Sequence, residues 1–167
     1  MNVMSGGSLQ EEKMTLYITP SGRFVHRRDW PKNYRNDQPE FEADVWVPMN
    51  VKAEADALEM IARRHMTIPL QRILEIGCGN APHLSEWLER GYDYIGLDIN
   101  PAMLAYGQAK TPAHTNGSAT FVEASLVDFH LPDPVDIAVV FLGSLYVTDN
   151  GELWSHFDAM ARALKSG

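Results

Sequence analysis

With 167 residues, 45% of them hydrophobic, the chain is long enough for one domain with a buried core. Its formal net charge is −8 and no basic run exceeds the pair Arg27-Arg28, which argues against a nucleic-acid partner, because phosphate binding needs clustered Lys and Arg. No stretch approaches the roughly 18 apolar residues of a membrane span, and no signal-peptide core is recognised. The lone Cys78 cannot form an internal disulfide. We therefore expect a cytoplasmic protein without a membrane partner.

The N-terminal part of the chain is predicted to be a flexible leader followed by an ordered arm. Residues 1–13, which include a Ser-Gly-Gly-Ser run, form the leader. The arm covers residues 14–49, in which residues 15–19 predict a short strand and residues 20–22 a turn leading to residues 23–25. Five aromatic side chains of the arm need a packing surface, so we expect it to be ordered: Phe24, Trp30, Tyr34, Phe41 and Trp46.

Residues 50–167 are predicted to form one α/β domain that begins with a helix at residues 52–65. Apolar side chains recur there at helical spacing, which favours a helix lying against a sheet just before its first strand. The predicted apolar positions are Ala55, Leu58, Ile61 and Ala62.

The next predicted element is a strand that ends in a glycine turn. Residues 73–76 are a short, mostly apolar and β-branched run, which is typical of a strand buried on both faces. Glu75 interrupts this run near its tip, where a strand can open into a cleft. Gly77 and Gly79 allow the backbone to turn sharply and to approach a ligand without a Cβ in the way.

A helix is predicted directly after this turn. Asn80 is expected to cap it, Pro82 suits its first turn, and Gly91 ends it. Its apolar stripe is Leu84, Trp87 and Leu88. A strand, a glycine turn and a helix together are typical of the first unit of a nucleotide-binding α/β sheet.

A second strand with an acid at its carboxyl end is predicted at residues 94–98. Asp98 follows Gly77 by 21 positions. This spacing puts a carboxylate beside the glycine turn, where it can accept both hydroxyl protons of a ribose. The strand, the glycine pair, the helix and this acid indicate a site for a ribose-containing ligand.

Two further strands are predicted, at residues 120–122 and 135–141, and two further helices. Asn100 is expected to cap the helix that Pro101 opens, and Asp149 or Asn150 to start the last one. The predicted buried stripe of the last helix is Leu153, Trp154, Phe157, Met160, Ala161 and Leu164. The alternation of strands and helices predicts a parallel sheet with helices on both faces.

Two motifs taken together resemble the class I S-adenosylmethionine-dependent methyltransferases, in particular their small-molecule enzymes. The first is Glu-x-Gly-x-Gly-x-Ala, beginning at Glu75, and the second is Gly-Leu-Asp-Ile-Asn-Pro-Ala-Met-Leu, ending at Leu104. The resemblance covers residues 51–167 and implies a Rossmann-like, doubly wound parallel sheet. A dinucleotide fingerprint would need a third glycine where this chain has Pro82, which argues against a nicotinamide-dependent dehydrogenase.

The resemblance implies that S-adenosylmethionine binds at the carboxyl edge of the sheet. It places Glu75 at the cationic amino group of the methionine part, although Glu75 also suits a partly buried ion pair. It places Met103 against the adenine, although Met103 also suits the core. Ser125 stands where the family often has an Asp near the adenine amine, and Cys78 is read as a small residue that fills the turn. The expected cofactor-binding set is Glu75, Gly77, Cys78, Gly79, Asp98, Ile99, Met103, Ser125, Leu126, Phe141, Leu142 and Gly143.

The same resemblance implies methyl transfer to a small-molecule acceptor, with the arm at residues 14–49 as a lid. Trp30, Tyr34 and Tyr146 are the candidate acceptor contacts. No metal is expected, because the six His show no metal-ligand spacing. Candidates for a general base, should the acceptor arrive protonated, stay open among His26, Tyr34, His130 and Tyr146.

The predicted sheet has four strands, whereas the sheet of the family has seven. Residues 161–167 read as the end of the helix after the fourth strand, so that the fold is truncated there. Residues 135–141 would then be an exposed apolar edge that favours pairing with another chain. We therefore expect self-association or poor solubility, together with weak or absent methyl transfer by the isolated chain. A non-catalytic S-adenosylmethionine-binding or interaction protein is the alternative function.

Overall fold

The computed structural model describes residues 16–18, 24–26, 50–141 and 144–166. The predicted leader, the turn at residues 20–22 and most of the predicted arm lie outside these ranges. So do four of the predicted site residues: Trp30, Tyr34, Leu142 and Gly143.

Two short strands confirm the extended segments predicted in the arm. Strand β1 (Leu16–Ile18) pairs antiparallel with β2 (Phe24–His26), and Leu16 lies opposite His26.

The remaining elements alternate between helix and strand, as the sequence predicts. In chain order they are α1 (Val51–His65), β3 (Arg72–Ile76), α2 (Leu84–Glu89), β4 (Asp93–Asp98), α3 (Pro101–Ala109), β5 (Ala119–Glu123), β6 (Ile137–Val139) and α4 (Asn150–Ala163). No helix in the described part of the chain is long and apolar enough to cross a bilayer.

Strands β3 to β6 form one parallel sheet in the order β5-β4-β3-β6. Ile73 lies opposite Tyr94 on one side and Ile137 on the other, while Tyr94 lies opposite Ala119. Because all four strands run in the same direction, their carboxyl ends meet at one edge. In open α/β sheets this edge is where ligands bind.

The core is divided between the two faces of the sheet. Ile73 packs with helices α1, α2 and α3 through Ala55, Trp87 and Leu104. On the other face, Leu74 and Ile76 pack with Leu97, Phe129, Val135 and the α4 residues Ala159 and Ala163. Helices on both faces confirm the predicted doubly wound architecture.

Helix starts follow the predicted capping residues in two cases and differ in one. The Asn100 side chain accepts hydrogen bonds from Ala102 N and Met103 N, and Asp149 accepts one from Glu152 N. The prediction that Asn80 caps α2 is wrong, because α2 begins at Leu84 with His83 as its N-cap residue. Asn80 is buried inside the turn instead, where its carbonyl oxygen accepts a bond from Lys110 Nζ at 3.2 Å.

The predicted buried stripe of α4 is wrong at three positions, whereas its Met160 and Leu164 pack against the core and Leu153 is half-buried. Trp154 is 70% exposed and Phe157 is 48% exposed, whereas His156, Ala159 and Ala163 are buried. The predicted Ala161 is exposed as well. The buried side chains His156, Ala159 and Ala163 lie on one face of the helix, and the two aromatic rings lie on the neighbouring face.

In helix α1, the predicted apolar stripe is wrong at a single position. Ile61 is 50% exposed, whereas Ala55 and Ala62 are buried. Helical spacing therefore predicts both helices, but it does not identify every buried position of either one.

The region around β6 also departs from the prediction. The regular strand is three residues long instead of seven, and α4 ends at Ala163 rather than continuing toward position 167. Leu164 is extended and pairs in parallel with Val135: Val135 N donates to Ala163 O at 2.8 Å, and Lys165 N donates to Val135 O at 2.9 Å. The outer edge is therefore paired at Val135, where the sequence predicted an unpaired edge.

Candidate functional site

The glycine turn after β3 has unusual backbone angles and is hydrogen-bonded to the end of β4. Gly77, Gly79 and Ala81 have φ angles of 68°, 51° and 52°, all in the left-handed region that favours glycine. Gly77 N and Cys78 N both donate to Leu97 O, at 2.7 Å and 3.0 Å. The turn therefore lies against the carboxyl end of β4.

Asp98 lies beside this turn, as the spacing predicts. Its Oδ2 accepts a hydrogen bond from Gly79 N at 2.8 Å, and its Oδ1 accepts one from Asn100 N at 2.9 Å. Each carboxylate oxygen has a second lone pair, so the group keeps capacity for further donors. The next residue, Ile99, is 70% exposed and offers an apolar surface next to this acid.

Glu75 is buried and hydrogen-bonded on both carboxylate oxygens. Its Oε2 accepts from the Tyr94 hydroxyl at 3.0 Å, and its Oε1 lies 3.2 Å from Nδ1 of His83. The other ring nitrogen of His83, Nε2, lies 2.7 Å from Oε2 of Glu54 on α1. One fully buried imidazole therefore connects two carboxylates.

These contacts shift two proton equilibria. Burial acts to lower the pKa of His83, but hydrogen bonds and Coulombic attraction from Glu75 and Glu54 outweigh it, so the pKa lies above its usual value. Burial and the charge of Glu75 raise the pKa of Tyr94 well above its usual value. Tyr94 is therefore a permanent hydrogen-bond donor to Glu75 near neutral pH.

The chain after β6 returns to the glycine turn. Ser144 Oγ donates to Gly77 O at 3.1 Å, and a Cβ placed on Gly77 would come within 2.6 Å of Ser144 Cβ. The Phe141 ring stacks on His83 with centroids 4.3 Å apart. The ends of β3, β4 and β6 therefore enclose one region of the carboxyl edge.

The end of β5 reaches the same edge through the backbone. Ala124 N donates to Asp98 O at 3.0 Å, and the following half-buried Ser125 accepts from Val127 N through its hydroxyl at 3.2 Å. Leu126 packs partly into the core on the α4 face, and its carbonyl oxygen forms a 2.7 Å hydrogen bond with His156 Nδ1.

Two residues of the predicted cofactor set are packed in the core. Met103 is 1% exposed and Cys78 is 3% exposed. A Cβ on Gly96 would lie 2.9 Å from the Cys78 sulfur, which shows how closely this side chain fills the space behind the turn. The interpretation of Cys78 as a small residue in a tight turn agrees with this packing.

The predicted acceptor contact Tyr146 and the candidate base His130 are both exposed, and Tyr146 follows closely after the Ser144 that touches the turn. Sequence reasoning missed His83, Glu54, Tyr94 and Ser144 as neighbours of the site. One signal was available for the first of them. A carboxylate in a buried strand needs hydrogen-bonding partners, and His83 follows Glu75 by eight positions.

Comparison with known proteins adds a family assignment. Residues 73–167, more than half of the chain, match a sequence model of a family described as a methyltransferase domain. No curated protein sequence matches the chain significantly.

Several solved structures are similar in fold. DesVI from Streptomyces venezuelae is 23% identical with a TM-score of 0.62, covering 71% of this chain and 48% of its own. KedS8, a sugar N-methyltransferase from Streptoalloteichus, is 24% identical with a TM-score of 0.62, covering 99% and 56%. CalS10, an amino pentose methyltransferase from Micromonospora echinaspora solved with S-adenosylmethionine bound, is 20% identical with a TM-score of 0.56, covering 87% and 54%. The chain thus spans about half the length of these proteins, and at these identities the likeness concerns the fold.

Proposed function

Because the chain belongs to the methyltransferase domain family, we propose that it binds S-adenosylmethionine and transfers the methyl group to a small-molecule acceptor. The observation that carries this proposal is the contact between the glycine turn and Asp98 at the carboxyl edge of the parallel sheet. This contact places an acid with spare acceptor capacity next to a backbone that a ligand can approach closely.

The residues at this edge fit the chemistry of the cofactor. Asp98 would accept the ribose hydroxyls, and the exposed Ile99 would cover one face of the adenine. Glu75 would face the ammonium group of the methionine part, since a carboxylate suits a cation. The half-buried Ser125 and Leu126 would line the adenine side, and Phe141 the end of β6.

The protein's contribution to the reaction is alignment. When bound, S-adenosylmethionine supplies a methyl group that its positively charged sulfur already activates. The chain has to hold an acceptor atom in line with that methyl group and keep water out. Proximity and orientation of this kind lower a barrier by about 7–11 kcal/mol in favourable cases.

The acceptor is proposed at the level of a small molecule. Two structural neighbours are described as a sugar N-methyltransferase and an amino pentose methyltransferase, which makes amino sugars the first acceptors to test. Trp30, Tyr34 and Tyr146 remain predicted acceptor contacts. Self-association through the outer edge of β6 also remains a prediction, which light scattering of the full chain over a range of concentrations tests.

Calorimetry with S-adenosylmethionine, S-adenosylhomocysteine and nicotinamide dinucleotides tests the proposed cofactor. We expect the first two to bind and the dinucleotides to give no signal. Mass spectrometry after incubation with S-adenosylmethionine and a panel of amino sugars tests the reaction. Cofactor binding without any methylated product across the panel would favour the alternative, a non-catalytic S-adenosylmethionine-binding protein.

A further inference from the structure

A row of four hydrogen-bonded side chains runs from the surface to the candidate site. It begins at Glu54, whose side chain is 34% exposed, and continues through the fully buried His83 and the buried Glu75 to the Tyr94 hydroxyl. The distances along the row are 2.7 Å, 3.2 Å and 3.0 Å. The row links α1, the glycine turn, β3 and β4.

His83 closes the glycine turn against the strand that precedes it. Glu75 stands two residues before Gly77 and His83 four residues after Gly79, so their contact spans the turn from end to end. Phe141 stacks on one face of the imidazole, and Trp87 packs nearby with its ring centroid 6.4 Å away. The imidazole is therefore held at both ring nitrogens and on one face.

The groups that face this imidazole explain its charge. Carboxylates lie at both ring nitrogens, from Glu54 on α1 and Glu75 on β3, whereas Trp87 and Phe141 are uncharged. Glu75 also contacts the Tyr94 hydroxyl, which in turn interacts with the Cys78 thiol. An imidazole can donate to two carboxylates at once only when both nitrogens carry a proton. The arrangement therefore favours the imidazolium form, and the pKa of His83 is raised accordingly.

This cation has a direct effect on Glu75. A buried carboxylate without a cationic partner tends to take up a proton and become neutral. A neutral acid would not attract an ammonium group. The His83 imidazolium supplies a cationic partner 3.2 Å from Glu75 Oε1, and the hydrogen bonds from His83 and Tyr94 fix the place of the carboxylate.

We infer that His83 is a positioning residue for the amino-acid end of the cofactor, acting through Glu75 rather than by touching the ligand. This inference rests on the proposed function, in which Glu75 faces the methionine ammonium group. It assigns to the residue that precedes α2 a part in ligand selectivity: His83 should matter for ligands that carry the amino acid and not for those that lack it.

The test compares two ligands that differ in the amino-acid part. S-adenosylhomocysteine carries the ammonium group, whereas 5′-methylthioadenosine keeps the nucleoside and the thioether without it. In His83→Gln, an uncharged amide replaces the imidazolium, so S-adenosylhomocysteine should bind about tenfold more weakly near neutral pH, the loss expected for a weakened charge-assisted contact. Binding of 5′-methylthioadenosine should change less than about twofold.

The pH dependence separates this effect from a general loss of structure. The wild type loses the imidazolium as pH rises through the raised pKa of His83, so the difference in S-adenosylhomocysteine affinity between the wild type and His83→Gln should shrink as pH rises. The matched control is His156→Gln, because His156 is also a buried histidine but lies on the α4 face and bonds to a carbonyl oxygen. It should leave the ratio of the two affinities unchanged.

Each outcome decides between the explanations. Equal losses for both ligands in His83→Gln, or a selective loss that does not change with pH, would overturn the inference and leave His83 with a structural role. A wild-type chain that binds neither ligand would instead remove the proposed function on which the inference rests.

A double variant covers the case in which His83→Gln does not fold. Glu75→Gln/His83→Gln replaces the ion pair by two neutral amides, and its affinity ratio should equal that of Glu75→Gln alone. A different ratio would mean that His83 acts independently of Glu75 and would overturn the inference.

Discussion

The hydrogen bond from Gly79 N to Asp98 Oδ2, 2.8 Å long, joins the glycine turn to the acid that ends β4. It connects residues 19 positions apart in sequence and brings together the two motifs on which the functional reading depends. The same carboxylate also accepts from Asn100 N, at the start of α3. Asp98 therefore stabilises the fold through these two hydrogen bonds, and it is also the acid proposed to accept the ribose hydroxyls.

Replacement of Asp98 tests the ribose contact. Asp98→Ala should weaken S-adenosylhomocysteine binding by about 2 kcal/mol or more, because it removes a charged acceptor from two hydroxyl donors. Calorimetry on the wild type and the variant measures the difference. Asp93 supplies the control, because its carboxylate accepts from Ser118 at the opposite end of β4. Asp93→Ala should keep wild-type affinity, and an Asp98→Ala chain that also keeps it would contradict the site assignment.

Replacement of Glu75 tests which end of the ligand meets this acid. Glu75→Gln keeps the shape of the side chain and removes its charge. It should cost S-adenosylmethionine about 1.5–3 kcal/mol of binding free energy, the range for a hydrogen bond to a charged group, and cost adenosine much less. Titration calorimetry with each ligand gives the two differences. Similar losses for both ligands would place Glu75 in a purely structural role.

The parts of this site that sequence could predict are those set by local backbone chemistry. Three features can be recognised from a few neighbouring residues. They are the glycines that need left-handed angles, the acid at a strand end and Asn100 at a helix start. The partners of Glu75 are different, because His83, Tyr94 and Glu54 come from three separate elements. Only the packing of α1 and α2 on the sheet brings them together.

The exposed rings of α4 show a second limit. Trp154 and Phe157 fall at helical spacing and were expected in the core, yet they pack edge to face against each other at 6.5 Å on the exposed side. The helical periodicity of apolar residues predicts that an apolar stripe exists. It does not tell which of two neighbouring stripes is buried, and here the buried residues include Ala159 and Ala163.

The positive φ angle of Ala81 predicts an unusual response to glycine. Ala81 is buried with φ of 52°, a conformation that costs an L-residue roughly 1–2 kcal/mol. Ala81→Gly relieves this strain and loses one buried methyl group, worth about 0.8 kcal/mol, so the free energy of unfolding should change little or rise slightly. Urea denaturation measures this change.

A second buried alanine provides the comparison. Ala159 is fully buried in the middle of α4, where its helical backbone carries no such strain. Ala159→Gly should lower the free energy of unfolding by about 2 kcal/mol, since it loses the methyl group and the helix propensity of alanine. Equal losses in the two variants would show that Ala81 is not strained.

The stability of the fold should depend on pH through His83. Its pKa in the folded chain lies above the unfolded value of about 6.5, so the folded state holds a proton that the unfolded state releases first as pH rises. The stabilisation is fully present below the unfolded pKa and is lost as pH rises through the folded pKa. The free energy of unfolding should therefore fall over that window, with a slope of at most about 1.4 kcal/mol per pH unit for this single group.

Urea denaturation from about pH 6 upward measures the slope, and His83→Gln should flatten it because the amide does not titrate in this range. An identical slope in the wild type and the variant would show that another group is responsible, and that the imidazole between Glu54 and Glu75 does not gain a proton on folding.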